Sequence, residues 1–285
     1  MTAMALYEEI LYDVSDPIAT ITLNRPHALN AWTPRMGAEL RHAVGRAERD
    51  ANVVGIIITG AGRGFCAGAD LKVLGSVADG GAALVDTSLP DELADADAGD
   101  PSWGDDLRGT HIYLLSVSKP VIAAINGAVA GMGVPFVLAA DLRFMAEDAV
   151  MSMAFSQRGL IAEWGLAWLL PRLTGAGVAL DLLFSSRKID GREAEALRVV
   201  NRAVPGADLL DVARSYIENL AATCSPTSIA IMKRQVNQQL HIGLGPAERE
   251  AQKLMLESFE REDLAEGVQS FLQKRPPKFP RLGSD

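Results

Sequence analysis

The chain has 285 residues, of which 48% are hydrophobic and 22% charged, a composition typical of a globular protein with a sizeable core. Its formal charge of −9 comes from nine acids between Lys72 and Arg108, because the rest of the chain has 27 acids against 27 bases. Nucleic-acid binding needs a surplus of basic residues on one face, so the charge argues against that function. The nine acids are Asp79, Asp86, Asp91, Glu92, Asp95, Asp97, Asp100, Asp105 and Asp106.

The first predicted elements are a strand and a helix. Residues 18–24 alternate apolar and small polar side chains, which is typical of a strand with one buried face. Thr33 followed by Pro34 is a helix-start signal, an N-cap before a proline in the first turn. Met36 and Leu40 begin an apolar stripe at helical spacing. We therefore predict an amphipathic helix after Thr33.

Three apolar runs, at residues 53–59, 120–125 and 141–145, predict further strands, the first of them buried on both faces. Residues 120–140 carry no charge and are long enough to cross a bilayer, but their glycines and prolines indicate strand, turn and helix. We therefore expect no membrane span. Strands that alternate with helices predict an α/β fold whose binding sites lie at the loops that leave the strands.

After about residue 160 the pattern becomes helical. Apolar residues three and four apart predict helices over 207–222, 226–240 and 246–259. We therefore predict an α/β core over residues 1–205 and a helical C-terminal region over residues 206–285.

Cysteine, histidine and the first residues of the chain narrow the class of protein. Cys66 and Cys224 are too few for a disulfide scaffold, and the four histidines are scattered, so no metal site is expected. The first residues lack a basic region followed by an apolar stretch, which predicts no signal peptide and a cytoplasmic location.

Two glycine-rich turns follow predicted strands, at residues 62–72 and 126–133. Their small residues would let a ligand approach the backbone and would leave amide N–H groups free to point at it. Two such turns side by side would supply paired donors for an oxygen that becomes negative during a reaction.

These turns and three other segments resemble the crotonase (enoyl-CoA hydratase/isomerase) superfamily, in the family's order and over nearly the whole chain. The matching segments are residues 23–31, 64–72, 119–127, 187–194 and 266–275. The resemblance implies a crotonase-like fold of stacked ββα units with a C-terminal helical trimerisation region. It also implies an acyl-CoA thioester as substrate, with coenzyme A as part of that substrate and no separate cofactor. The expected assembly is a homotrimer or a dimer of trimers.

The resemblance assigns roles residue by residue. Ala69 and Met132 occupy the two positions whose backbone N–H groups form the oxyanion hole. Met132 stands where glycine or alanine is usual, but the backbone donor does not depend on the side chain. The positions that would contact coenzyme A are Arg25, Ala28, Ala67, Asp70, Leu71, Lys278 and Phe279.

Departures from the family pattern bear on the reaction. A family hydratase uses two glutamates, and the matching positions here are Pro135 and Phe155, neither of which can transfer a proton. Glu163 lies in a segment where enoyl-CoA isomerases of the family place a single acid/base. We therefore predict isomerisation of 3-enoyl-CoA to 2-enoyl-CoA, with Glu163 in a pocket made apolar by Trp164, Phe155 and Met132.

Other interpretations stay open beside this one. Glu163 would also suit a helix start, where an acidic residue is favourable without any catalysis. His111 and Pro135 are candidates for the acyl pocket, but a packed or helix-surface histidine would explain His111 as well. Cys66 is expected to be a packing residue. Trp164 and Trp168, four residues apart, suit core packing. The alternative functions are an enoyl-CoA hydratase, another crotonase-type lyase or hydrolase that uses Glu163 or His111, and a non-catalytic acyl-CoA-binding scaffold.

The acidic stretch lies within a segment, about residues 73–107, that varies in the family and borders the acyl pocket. Its glycine, alanine and aspartate content, with Pro90 and Pro101, predicts a loop with a short helix at most, and the resemblance implies that the segment is mobile. We expect this segment to act as a lid that determines which acyl groups enter.

Overall fold

A computed structural model describes residues 6–70, 75 and 90–283 of the chain. Its larger sheet has six strands in the order β1, β2, β3, β5, β7, β10. β1 pairs with β2 in an antiparallel ladder, and the other pairs are parallel. The strands are β1 (Ile10–Ser15), β2 (Ile18–Leu23), β3 (Gly55–Gly60), β5 (Val121–Ile125), β7 (Leu142–Ala146) and β10 (Arg202–Val204).

A smaller sheet contains the short strand that follows each of β3, β5 and β7. Its strands are β4 (Gly64–Cys66), β6 (Ala128–Ala130), β8 (Val150–Ser152) and β9 (Ile189–Asp190), in that order. β4, β6 and β8 are parallel to one another, and β9 is antiparallel to β8. Each unit therefore contributes one strand to each sheet, which confirms the predicted stacking of ββα units.

The helices complete these units and form the C-terminal region. They are α1 (Pro34–Arg49), α2 (Gly133–Leu138), α3 (Leu166–Thr174), α4 (Ala176–Ser185), α5 (Gly191–Ala196), α6 (Leu209–Thr223), α7 (Pro226–Gln239), α8 (Leu244–Phe259) and α9 (Glu262–Gln273). The predicted helix start is confirmed, since Thr33 Oγ1 accepts a hydrogen bond from Met36 N at 3.0 Å. Met36 and Leu40 of the predicted stripe are fully buried.

The uncharged stretch at 120–140 forms β5, β6 and α2, so the prediction of strand, turn and helix is confirmed, with one short strand more than expected. Every residue of β5 is buried, since β5 lies between β3 and β7 in the larger sheet and α6 packs against it. No helix in the described part of the chain is long and apolar enough to cross a membrane.

A partly buried ion pair fixes α7 to the start of β5. Lys233 Nζ lies 2.7 Å from Asp141 Oδ2, and the same carboxylate oxygen accepts a hydrogen bond from Val121 N at 2.7 Å. Burial raises the pKa of Asp141 even though Lys233 opposes the shift. The C-terminal helices are thus joined to the start of a core strand.

In the part that the structure describes, the acidic segment contains only short helical turns between loops. Residues 90–107 form three short 3-10 turns, and Leu93, Trp103 and Leu107 are buried. Three acids of this part face basic residues of α1, in the pairs Arg35–Glu92, Arg41–Asp97 and His42–Asp95. Apolar burial and these pairs fasten residues 90–107 to α1. The predicted lid at 73–89 lies outside the described residues apart from Gly75.

Candidate active site

The site is built from loops that leave parallel strands at the same edge of the larger sheet. β2 and β3 are paired in register, so residues 24–31 and 61–70 begin side by side. The buried side chain of Asn30 joins the two loops. Its Oδ1 accepts from Arg25 N at 2.8 Å, and its Nδ2 donates to Ala61 O at 3.0 Å and Gly64 O at 2.8 Å. These three bonds fix the start of the first glycine-rich turn.

The Asn126 side chain likewise fixes the start of the second glycine-rich turn, which follows β5. Its Oδ1 accepts from Gly60 N at 3.0 Å, and its Nδ2 donates to Gly62 O at 2.9 Å. Gly127 lies so close to this loop that a Cβ on it would be 2.3 Å from Arg63 O. The loops after β3 and β5 are therefore held in contact.

The two turns meet at Gly68 and Gly131. Both have positive φ angles, +101° and +49°. A Cβ on Gly68 would lie 3.1 Å from Ala130 O, and one on Gly131 would lie 3.7 Å from the Gly68 Cα. Only glycine combines this backbone conformation with so close an approach. The next residue of each turn is Ala69 or Met132, so the two predicted oxyanion-hole positions are neighbours.

The backbone around Ala69 leaves its N–H group free. Trp32 N donates to Gly68 O at 2.7 Å, and Asp70 N donates to Trp32 O at 3.0 Å, so Trp32 pairs with the residues on both sides of Ala69. Within the described ranges, neither Ala69 N nor Met132 N donates a backbone hydrogen bond. Two adjacent unpaired donors can stabilise an oxygen that gains negative charge.

Three aromatic rings connect this turn to the segment that carries Glu163. The His111 ring lies between Trp32, at 4.7 Å between centroids, and Trp164, at 4.4 Å. Trp32 also contacts Phe136 of α2, at 5.2 Å. Residues from three separate loops thus form one continuous stack.

Glu163 lies at the end of this stack. Trp164 Nε1 donates a hydrogen bond to Glu163 Oε2 at 3.1 Å, and the Glu163 side chain is half-buried. Trp164 and Gly165 both have positive φ, and a Cβ on Gly165 would lie 3.1 Å from Ile112 Cγ2. This irregular backbone packs the residues around Glu163 against the loop that carries His111. The carboxylate accepts a hydrogen bond from the Trp164 indole N–H, and the Glu163 carbonyl accepts one from Leu166 N at 2.9 Å at the start of α3.

His111 is packed, with 2% of its surface exposed, and its ring nitrogens have no hydrogen-bond partner in the described part of the chain. Burial lowers its pKa to about 3, because the charged form would be separated from water. The imidazole is therefore neutral near pH 7.

Pro135 and Phe155 are the residues predicted to stand at the positions of the family glutamates. Pro135 is buried in the first turn of α2, where a missing backbone N–H is tolerated. Phe155 is 4% exposed and packs in the core just before a 3-10 turn at 156–158. Neither position carries a group that can move a proton.

The predicted coenzyme A residues fall into two groups. Ala28 and Ala67 lie in the adjoining loops, and Ala67 N donates to Leu29 O at 3.0 Å. Arg25 contacts Asp70 at 3.0 Å and also Glu9 at 3.1 Å, so its guanidinium links the loops. Leu71 lies outside the described residues.

The second group, Lys278 and Phe279, lies beside α9. Lys278 N donates to Glu266 Oε1 at 2.6 Å, and the Phe279 ring faces Gly267. Two residues further on, Arg281 donates hydrogen bonds to Asp16, just before β2, and to Asn52 O, just before β3. The candidate site lies at the opposite ends of these two strands. Within the described residues of one chain, no hydrogen bond or ion pair joins Lys278 or Phe279 to residues 25–31 or 62–70.

Two further predictions concern packing residues. Cys66 is fully buried, and burial raises the pKa of its thiol to about 11, so its predicted role in packing is confirmed. The Arg172 guanidinium carbon lies 3.7 Å from the centroid of the Trp168 ring, and the His241 ring centroid lies 5.0 Å from it. Trp168 is separate from the stack around His111.

Sequence reasoning missed Trp32 as a site residue. Trp32 stands between residues 23–31, which resemble the family, and the predicted N-cap Thr33. A large aromatic side chain next to a predicted ligand-binding loop could have indicated a site residue. The side-chain roles of Asn30 and Asn126 were also missed, because hydrogen bonds between distant loops have no local pattern.

Known proteins resemble this chain over almost its full length. The model of the enoyl-CoA hydratase/isomerase family matches residues 13–281. A Rhodobacter capsulatus protein named probable enoyl-CoA hydratase is 35% identical over 277 residues, 96% of this chain and 98% of its own length. The 1,2-epoxyphenylacetyl-CoA isomerase of Escherichia coli is 33% identical over 282 residues, 96% of this chain and 99% of its own length. The crystal structure of enoyl-CoA hydratase from Bacillus anthracis superposes with a TM-score of 0.81 at 28% identity, covering 97% of this chain and 100% of that one.

Stacked ββα units with two adjoining glycine turns define the fold as that of the crotonase superfamily. The chain belongs to the enoyl-CoA hydratase/isomerase family. This family acts on acyl-CoA thioesters, and the names of the relatives include both hydratase and isomerase.

Proposed function

We propose that this protein isomerises 3-enoyl-CoA to 2-enoyl-CoA thioesters with Glu163 as the single acid/base. The observation that carries the proposal is the carboxylate of Glu163, held by Trp164 Nε1 and connected through His111 and Trp32 to the turn that presents Ala69 N–H. A chain of ring contacts therefore links a proton donor and acceptor to the turn that presents Ala69 N–H.

In the proposed reaction the Glu163 carboxylate removes a proton from C2 of the 3-enoyl thioester. The electron pair of that C–H bond moves towards the thioester carbonyl, whose oxygen becomes negative and accepts hydrogen bonds from Ala69 N–H and Met132 N–H. The protonated Glu163 then returns the proton to C4 of the dienolate, and the double bond ends between C2 and C3. No other reactant is consumed.

Hydration is the alternative that the names of several relatives favour. Addition of water to a 2-enoyl thioester in this family uses two carboxylates, one to activate the water and one to protonate carbon. Pro135 and Phe155, at those positions, are buried and offer no polar group to hold a water molecule. A lyase or hydrolase reaction through Glu163 or His111 and a non-catalytic scaffold are the further alternatives.

The test offers 2-enoyl-CoA, 3-enoyl-CoA and saturated acyl-CoA thioesters to the protein in parallel. We expect turnover of 3-enoyl-CoA, and Glu163→Gln should reduce kcat by at least about 100-fold, since loss of a general acid/base typically costs that much. Glu218→Gln, at an exposed position of α6, is the matched control and should retain activity. Full isomerase activity in Glu163→Gln would refute the role of Glu163, and rapid hydration of 2-enoyl-CoA would favour a hydratase.

For the assembly, we propose a homotrimer or a dimer of trimers. Support comes from an apolar surface on the C-terminal helices, the C-terminal apolar face, which one chain leaves uncovered and whose size indicates an interface. Its exposed members are Met232, Val236, Leu240, Ile242, Leu244, Met255, Leu256, Phe259, Leu264, Val268, Phe271 and Leu272. Sedimentation velocity of the wild type and of Phe271→Asp tests this, and a monomeric wild type would contradict it.

A further inference from the structure

His111 is a buried polar residue whose hydrogen-bonding capacity is unused. Its ring has one N–H donor and one nitrogen acceptor when neutral. Neither nitrogen has a partner within the described chain, although only 2% of the residue surface is exposed. Buried polar groups in native proteins are nearly always paired, so an unpaired imidazole needs an explanation.

Packing alone does not explain the choice of histidine. The imidazole lies between the indole rings of Trp32 and Trp164, at centroid distances of 4.7 and 4.4 Å, and a phenyl ring would stack there equally well. A phenyl ring would also avoid the free-energy cost of two unpaired buried nitrogens. The nitrogens therefore point to a partner that the described residues of the chain do not supply.

The position of His111 relative to the candidate site identifies that partner. On one side Trp164 bonds the Glu163 carboxylate, and on the other Trp32 forms a β-bridge with Ala69. A thioester whose carbonyl oxygen is bound at Ala69 and Met132, and whose reacting carbons face Glu163, would extend its acyl chain along this stack.

We propose that His111 is a specificity residue that hydrogen-bonds an uncharged hydroxyl oxygen on the acyl group of the thioester. This proposal deepens the proposed function and rests on it. The natural substrates would then be hydroxylated acyl-CoA thioesters, whose hydroxyl group lies beyond the reacting carbons.

Chemistry favours a hydroxyl group over a charged one. A hydroxyl group both donates and accepts, so it can pair with either nitrogen of a neutral imidazole. An acyl carboxylate at this depth would lose its hydration next to an imidazole that burial keeps neutral. It would also be repelled by the carboxylate of Glu163, which Trp164 holds beside the same stack.

Calorimetric titration with one parent thioester and its hydroxylated derivatives tests the proposal. Valeryl-CoA is compared with 5-hydroxyvaleryl-CoA on the wild type, His111→Phe and Tyr113→Phe, and 3- and 4-hydroxyvaleryl-CoA serve as positional controls. Tyr113 is the matched control, because its hydroxyl group is also buried and unpaired in the described chain and it lies two residues away.

For the wild type we expect 5-hydroxyvaleryl-CoA, whose hydroxyl group lies beyond C2 to C4, to bind at least about tenfold more tightly than valeryl-CoA, the effect of one buried hydrogen bond. In His111→Phe this preference should fall below about threefold while valeryl-CoA binds no more weakly than before. Tyr113→Phe should keep the wild-type preference.

Two results would overturn the proposal alone: wild-type binding of all four thioesters without preference, and a preference that survives in His111→Phe. The wild-type measurement does not depend on whether a variant folds. Failure of the wild type to bind any of the thioesters or free coenzyme A would instead refute the proposed function, and this proposal with it.

Discussion

Acidification should destabilise this protein through His111 by an amount that can be calculated. The ordinary histidine pKa of 6.5 applies to the unfolded chain, whereas burial between Trp32 and Trp164 lowers the pKa in the folded chain to about 3. The unfolded state therefore binds more protons below pH 6.5, so stability decreases as pH falls from about 6.5 to about 3.

The size of the effect follows from proton linkage. At pH 5.0 the imidazole is almost fully protonated in the unfolded chain and neutral in the folded one. Each pH unit below 6.5 removes about 1.4 kcal/mol from the free energy of unfolding, so His111 should account for a loss of about 2 kcal/mol between pH 7.5 and pH 5.0.

Urea denaturation of the wild type and of His111→Phe, at pH 7.5 and pH 5.0, measures this loss. All other titrating groups are common to the two proteins, so their contributions cancel in the difference. The wild type should lose about 2 kcal/mol more than His111→Phe on acidification. His27→Phe, which removes an exposed histidine, should behave like the wild type. Equal losses in the wild type and His111→Phe would show that His111 is accessible to protons in the folded state.

Three further predictions concern the framework of the site. Asn30→Ala removes one buried and two partly buried hydrogen bonds to the backbone and should lower the free energy of unfolding by about 3 kcal/mol in urea; an unchanged midpoint would contradict this. Gly68→Ala, at φ +101°, should displace the first oxyanion donor and reduce kcat/KM at least about tenfold. Gly177→Ala, where a Cβ has open space, is its control and should retain activity. Lys233→Met removes the ion-pair partner of Asp141 and should lower the free energy of unfolding by about 2 kcal/mol at pH 7. The loss should become smaller on acidification, as the Asp141 carboxylate is protonated.

The α/β framework was predictable because its signals are local. The apolar run at 53–59 became β3, and the Thr33–Pro34 pair marked the start of α1. β1 (Ile10–Ser15) was missed, although its residues alternate between buried and less buried positions. The two-residue β9 was missed for a different reason, since so short an element is defined by its partner strand.

The site was predictable only in part. The positions of Ala69, Met132 and Glu163 came from resemblance to the family, because motif spacing carries that information. The stack of Trp32, His111 and Trp164 joins residues more than fifty positions apart along the chain, and no periodicity connects them. The acidic residues at 90–107 gave a composition typical of a free loop, but their partners lie on α1 and cannot be identified from composition.

The same stack explains why the backbone donors and the carboxylate can be expected to respond together to substitution. Trp32 is paired through its backbone with the residues on both sides of Ala69, and its ring contacts Phe136 in the helix that begins after Met132. Trp164 at the other end bonds Glu163 directly. A change in the thickness of the ring between them should therefore move the Ala69 and Met132 N–H groups relative to the Glu163 carboxylate. His111→Phe preserves that thickness and removes only the nitrogens, whereas His111→Ala removes both. Since proton transfer depends steeply on geometry, His111→Ala should reduce kcat for 3-enoyl-CoA far more than His111→Phe does.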